Sequence, residues 1–451
     1  MFLSSIVGVF IGAIVTLFLK MLQYSEDSRA ILPFNYYYLL PFAMLLSVWM
    51  VKKFAPTAEG HGTEKVIEAI HKEDGKIDVK VIPIKIFATI LSIFSGASVG
   101  KEGPAAQIGA GAASYISMFF KFSRHDRKKL VICGISAGFA SVFGTPIAGA
   151  IFGVEVLIIG VLMYDVLLPS IIAGFAAFTT AQLLGVEYTY YDLHFYQSIS
   201  FDLPLILTTV VAGLFFGFIS DFVVTTVSKI HRAIRAIKYS PYAKAVAGGL
   251  LLILLTTIFG DEYLGLGLST IKEALDPSVA NSAEFPWYVF ILKTLFTALS
   301  LGSGASGGII TPIFYIGATS GNFFGHLVGS DYIALFAAIG FVSVLAGTTN
   351  SPIAAIIMSV ELFGIEMVHY AAISIVISFL ITGHRSIFSS QKVAMKKSEM
   401  LEVKMGEEIE NLSVSLEEYE KGKIDRIKKR IREKREKLYR YKNKKSREKK
   451  L

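Results

Sequence analysis

"GKEGPAAQIGA", Gly100 to Ala110, sets a lysine and a glutamate side by side between two apolar runs. Gly100, Gly103 and Pro104 fence the charged pair, and all three disfavour a helix interior. The chain around it has 451 residues, 53 % of them apolar, and a mean hydropathy of +0.56. That is too apolar for a soluble protein of this length and defines an integral, multi-pass membrane protein. Stretches without Asp, Glu, Lys or Arg run from Met1 to Leu19, Leu130 to Val154, Val166 to Val186 and Thr294 to Ser330. A hydrocarbon core takes about 20 helical residues to cross, so the last stretch is too long for one plain span. Gly, Pro, Ser and Thr stud these runs, a composition suited to close-packed, interrupted helices. The expectation is an all-α membrane bundle of many tilted and broken helices, some ending inside the bilayer.

Residues Met1 to Leu19 lack a basic n-region, and Lys20 stands where a small-residue cleavage site would fall, so they read as a retained first helix. The single cysteine, Cys133, lies in an apolar run and reads as a buried small hydrophobe; no metal cluster or cofactor is suggested. Lys52 and Lys53, the cluster Lys121 to Lys129 and the stretch Lys229 to Lys244 are basic, whereas Gly185 to Asp202 carries Glu187, Asp192 and Asp202 and no basic residue. The positive-inside rule puts the basic loops in the cytoplasm of a cell (plasma) membrane protein. Residues Lys421 to Lys450 hold 17 Lys plus Arg against 4 Asp plus Glu, more than the whole formal excess of +8. This tail reads as a cytoplasmic polybasic segment for anionic lipid rather than a nucleic-acid arm. No regulatory domain of appreciable size fits in the roughly sixty residues after Gln391.

The chain is duplicated. "GHGTEKVIEAI" (Gly60 to Ile70) and "GLGLSTIKEAL" (Gly265 to Leu275) share G-x-G-x5-E-A-aliphatic at an offset of 205. "GPAAQIGA" from Gly103 matches "TPIFYIGA" from Thr311 at 208, and "TPIAGAIFGVE" from Thr145 matches "SPIAAIIMSVE" from Ser351 at 206. The division is a first membrane repeat over 1–200, a second over 201–395 and a charged tail over 396–451. Duplicated halves with Gly/Pro-interrupted segments place a transport path where the repeats meet, near the midplane. With Lys52/Lys53 and Lys121 to Lys129 on one side, the segment between them enters the membrane and returns, and Glu102 lies at the turn of that excursion.

Pro104 and Pro312 fall in the first turn of a helix, where a missing N–H costs nothing. Helix N-termini aimed at the protein centre create positive potential without a formal charge and suit an anion. Glu102 puts a tethered carboxylate in that position, which makes it a gate: seated, it blocks; protonated or swung out, it admits anions. The plainer alternative pairs Glu102 with Lys101 at the surface.

"GKEGPAAQIG" resembles the G-[RK]-E-G-P-x-x-Q motif of the CLC family of chloride channels and proton-coupled chloride exchangers. "AEGHG", "GSGASGGIITP" (Gly302 to Pro312) and "GHRSIFSSQ" (Gly383 to Gln391) resemble further family signatures, in family order from about residue 55 to 391. The resemblance is to a prokaryotic-type member without CBS domains. It implies an inverted repeat, a homodimer with one path per subunit, chloride as the substrate, and Glu102 as the gate. It further implies anion contacts from His61, Gly62, Gly100, Lys101, Gly103, Gly308, Ile309, Ile310 and Phe388, with the backbone N–H groups of Ile309 and Ile310 as direct ligands.

Three positions depart from the family pattern. His61 replaces a common serine, and its imidazole can either donate to an anion or cap the following helix. Phe388 stands where the pattern has a tyrosine and offers no hydroxyl. Val156 stands at the internal proton-relaying glutamate; neighbouring Glu155, matched by Glu361 in the other repeat, reads as a packing or capping residue or as a proton carrier. These departures favour passive, channel-like conduction gated by Glu102. Proton-coupled exchange is the alternative, as is selectivity for another anion such as fluoride or nitrate.

A membrane-embedded enzyme would need clustered acid, base or metal groups, yet the eight histidines are scattered and no HExxH occurs. A non-transporting scaffold would have no use for duplicated broken helices.

Overall fold

The computed structural model describes residues 1–188, 190–191, 202–397 and 405–409. Asp192 of the acidic connection and the polybasic stretch Lys421 to Lys450 lie outside the described residues. The first half comprises α1 (Phe2–Asp27), α2 (Leu40–Phe54), α3 (Thr63–Lys72), α4 (Val81–Phe94), α5 (Glu102–Phe119), α6 (Arg124–Phe143), α7 (Pro146–Glu155) and α8 (Tyr164–Leu183). The second comprises α9 (Leu203–Ala236), α10 (Pro241–Phe259), α11 (Leu268–Leu275), the short α12 (Pro277–Ala280), α13 (Tyr288–Gly302), α14 (Ile310–Leu327), α15 (Ile333–Thr349), α16 (Pro352–Phe363) and α17 (Val368–Thr382). Apart from α12, the two series correspond one for one.

Helices α1, α8, α9 and α10 are long and apolar enough to cross a membrane. By contrast α4 has 14 residues, about 21 Å at the helical rise against a hydrocarbon core of about 30 Å, so it ends within the bilayer. The charge-free run from Thr294 breaks as expected, between Gly302 at the end of α13 and Ile310 at the start of α14.

The recurring Pro-Ile-Ala motif is a helix stop followed by a start. Gly144 ends α6 in the left-handed region at φ 72°, and Thr145–Pro146 opens α7. Asn350 ends α15 in the same conformation at φ 59°, and Ser351–Pro352 opens α16. Asparagine is one of the few side-chain residues that tolerate this geometry.

Small residues bring the helices together. A Cβ on Gly109 of α5 would lie 2.3 Å from the carbonyl oxygen of Gly134 on α6, and one on Gly317 of α14 would lie 2.5 Å from that of Gly340 on α15. Both crossings are backbone-on-backbone packings of the kind that holds helices together in lipid. Helix α15 is buried on every side and forms the centre of the second half. Cys133 is buried in α6 and accepts a long contact from Ser170 Oγ at 3.8 Å.

The halves run in opposite directions. Glu155, at the C-terminal end of α7, accepts from the N–H groups of Ile353 (3.0 Å) and Ala354 (2.8 Å) in the first turn of α16. Glu361, near the end of α16, accepts from Ile147 (3.0 Å) and Ala148 (2.8 Å) in the first turn of α7. Equivalent helices that cap each other at both ends lie antiparallel, which makes the repeat an inverted one.

Asp74, in the α3–α4 turn, pairs with Lys128 at 2.9 Å and Arg124 at 3.5 Å. The Lys128 ammonium holds its carboxyl below the usual carboxylate range. Lys72 pairs with Glu408 at 3.0 Å. A parallel pair, Ile158–Ile159 (β1) with Lys392–Val393 (β2), ties the residues after Gln391 to the α7–α8 connection. The end of α3, the basic cluster Lys121 to Lys129 and residues 405–409 therefore share one face, called here the basic-loop face.

Glu155→Ala removes two hydrogen bonds to a charged acceptor, each worth about 1.5–3 kcal/mol, and is expected to lower the unfolding temperature in detergent. Glu155→Gln keeps one carbonyl acceptor and loses less.

Candidate functional site

The loops after α4 and α13 meet at the centre of the molecule and hold each other by hydrogen bonds that repeat at an offset of 208 residues. Ser98 N–H donates to Ser300 Oγ (3.1 Å), and Ser306 N–H donates to Ser92 Oγ (3.0 Å). Ser98 Oγ meets Thr297 Oγ1 at 3.0 Å, and Ser306 Oγ meets Thr89 Oγ1 at 3.2 Å. Gly100 and Gly308 exchange backbone hydrogen bonds of 2.7 and 2.6 Å as an antiparallel bridge. Buried backbone in a bilayer has no water to turn to, so this seam is what permits two helix breaks there.

Beyond the bridge the symmetry fails, and the failure makes the site. Position 102 is glutamate where its counterpart 310 is isoleucine; position 103 is glycine where 311 is threonine. Glu102, the first residue of α5, is 1 % exposed and reaches across to the first turn of α14. Its Oε1 accepts from Thr311 Oγ1 at 2.5 Å and its Oε2 accepts from Thr311 N–H at 3.2 Å. The surface pairing with Lys101 is not what the structure holds; Lys101 sits at the N-cap of α5.

Gly100 is needed for this docking, since a Cβ there would lie 2.5 Å from Glu102 Oε2 and 2.7 Å from Thr311 Oγ1. Gly62, at φ 79°, opens α3, and a Cβ on it would lie 2.3 Å from the carbonyl oxygen of Gly103. Gly103 in turn packs on the His61 carbonyl, 2.0 Å from where its own Cβ would be. Ile309 and Ile310 are buried at the N-cap and first position of α14, where N–H groups have no intrahelical acceptor. The N-termini of α3, α5 and α14 thus converge on one spot, and Glu102 occupies the N–H of Thr311 within it.

His61 does not cap α3, whose N-cap is Gly62 with no side-chain hydrogen bond. Its ring lies 5.7 Å from that of Phe388, and its Nδ1 is buried without a partner. The structure thus brings together two residues 327 positions apart that both depart from the family pattern. Phe388 is fully buried. Val156 is also fully buried, with its carbonyl taken by Gln391 Nε2 at 2.7 Å. Glu155 acts as the cap described above.

Two lysines were missed in the sequence. Lys85 in α4 is fully buried and donates to the carbonyls of Ala58 (3.1 Å) and Gly60 (2.6 Å). Lys293 in α13 is its counterpart at an offset of 208 and donates to Tyr263 (3.1 Å) and Gly265 (2.9 Å). Each ammonium fixes the carbonyls of one G-x-G loop and places positive charge inside the bundle, where an anion benefits from it. A lone lysine in an apolar helix, repeated at the register of the duplication, was the available signal. Glu64, in the first turn of α3, was missed as well; it accepts hydrogen bonds from Ser389 and Ser390, next to Phe388. Among the described residues, no group of three or more His, Cys, Asp or Glu is placed to hold a metal ion.

An inverted repeat of broken helices whose N-termini converge around one carboxylate defines a membrane protein for anion transport. The sequence profile described as voltage gated chloride channel matches residues 42–383, and the chain belongs to this CLC family. It is 37 % identical over 406 residues to a chloride/fluoride channel protein of Pseudomonas syringae pv. tomato, covering 88 % of this chain and 86 % of that one. It is 30 % identical over 335 residues to the voltage-gated ClC-type chloride channel ClcB of Escherichia coli, covering 72 % and 77 %. The fold matches the crystal structure of a CLC-type fluoride/proton antiporter with a TM-score of 0.81 at 31 % identity, over 87 % of this chain and 97 % of that one.

Thr311→Val deletes the hydroxyl that holds Glu102 and spares the N–H. Losing a hydrogen bond to a charged group, about 1.5–3 kcal/mol, corresponds to about a 10- to 100-fold shift toward the unseated carboxylate. Faster anion efflux from liposomes is the expected readout.

Proposed function

We propose that this protein exchanges a small halide for protons, with Glu102 as both the gate and the group that carries the proton. The observation behind this reading is the carboxylate seated on Thr311 at the convergence of helix N-termini. A carboxylate and an anion cannot share that positive spot, so the anion enters as the side chain leaves, and a protonated side chain leaves more readily than a charged one. Alternation at one site couples the two fluxes.

Fluoride as well as chloride belongs in the substrate class, in line with the names of the relatives at 37 % and 31 % identity. Without a hydroxyl at Phe388, the site presents backbone N–H groups, which suit a compact anion.

Passive conduction through the same gate is the second reading. The buried Val156 favours it, because no proton can rest there. The family resemblance supports a homodimer with one path per subunit, two membrane repeats over 1–200 and 201–395, and a tail from 396. The basic loops support a cytoplasmic basic-loop face in the cell membrane.

In proteoliposomes under opposed halide and pH gradients, exchange predicts uphill proton movement and a reversal potential away from the halide's Nernst value. A reversal potential at that Nernst value would establish the passive reading instead. Glu102→Gln is expected to abolish proton flux while halide still passes.

A further inference from the structure

Exchange needs a proton to reach Glu102 from the basic-loop face, and position 156 supplies none. Glu64 lies in the first turn of α3, the helix whose far end reaches that face. Its Oε1 accepts three hydrogen bonds, from Ser389 Oγ (2.7 Å), Ser390 N–H (2.9 Å) and Ser390 Oγ (2.7 Å). Its Oε2 is buried and has no partner. A carboxylate with one saturated and one bare oxygen can take a proton on the bare one without disturbing the other. The loop that carries Phe388 therefore keeps all three hydrogen bonds in either protonation state.

Three residues earlier, His61 presents a second bare, buried atom, Nδ1. Its ring faces Phe388 and its carbonyl packs on Gly103, the neighbour of Glu102. The order in space is Glu64, the Phe388 loop, His61, then the Glu102 turn.

We infer that Glu64 is the group that takes up the proton for Glu102 on the basic-loop side. The inference rests on the exchange reading. A proton that reaches Glu64 Oε2 gives the neutral acid. The acid then releases the proton toward Glu102, whose carboxylate becomes the neutral acid. Glu64 returns to its carboxylate state, and no other bond changes. The charged groups around Glu64 and His61 are Lys65 beside Glu64, and Lys85 of α4, Lys65 and Arg235 of α9 around His61; His231 of α9 is a further titratable neighbour. Lys65 is itself paired with Glu68 at 2.8 Å.

The test is the proton-to-halide ratio of the purified full chain in liposomes, read from the reversal potential. Glu64→Gln keeps an Oε1 acceptor for Ser389 and Ser390 but cannot carry a proton. It is expected to lower proton flux about 100-fold or more relative to halide flux, while Glu64→Asp, which keeps a titratable carboxyl, remains coupled. Glu64→Ala is the second proton-less variant should Glu64→Gln not fold. A proton-less variant with the wild-type ratio overturns the inference, and so does loss of coupling in Glu64→Asp as well, which reduces Glu64 to a brace for the loop. A wild type that moves no protons overturns the exchange reading and this inference with it, whereas a coupled wild type with a coupled Glu64→Gln overturns this inference alone.

Discussion

Two helix breaks buried face to face in a bilayer need hydrogen-bond partners for their backbone, and the symmetric seam between the loops after α4 and α13 provides them. Ser98 and Ser306, with Gly100 and Gly308, each bond to the opposite half. An unpartnered backbone group at that depth costs several kcal/mol, so neither break is stable without the other. Across the seam each half satisfies the polar groups that the other leaves open.

The same exchange recurs at the periphery. Glu155 and Glu361 cap each other's helices with nearly identical distances. Lys85 and Lys293 instead work within their own halves, each tying a G-x-G loop to the helix that precedes the central break. Loops, breaks and caps are thus held by charged or hydroxyl side chains whose partners are fixed backbone groups, which gives a rigid frame around the path.

Function enters where the symmetry is broken. A glutamate faces an isoleucine and a glycine faces a threonine across the pseudo-two-fold. The carboxylate of one half consequently docks in the other half's helix N-terminus, and no reciprocal group competes with it. A symmetric pair of carboxylates would repel each other, while a symmetric pair of apolar residues would leave the Thr311 N–H without its carboxylate partner.

The sequence by itself determined the membrane class, the interrupted helices, and the duplication with its offsets, and it singled out Glu102, because each is written in local composition or in a short motif. It also placed Pro104 and Pro312 in first turns, since proline's missing N–H is a local matter. Only the tertiary structure decided that Thr311 holds the Glu102 carboxylate, that His61 meets Phe388 instead of capping α3, that Glu155 is a cap, and that Lys85, Lys293 and Glu64 are anchored where they are. These are contacts between groups tens to hundreds of residues apart, many of them to backbone atoms that look alike in every residue. Their partners are set by where two inverted halves happen to touch, and no local pattern in the chain records that.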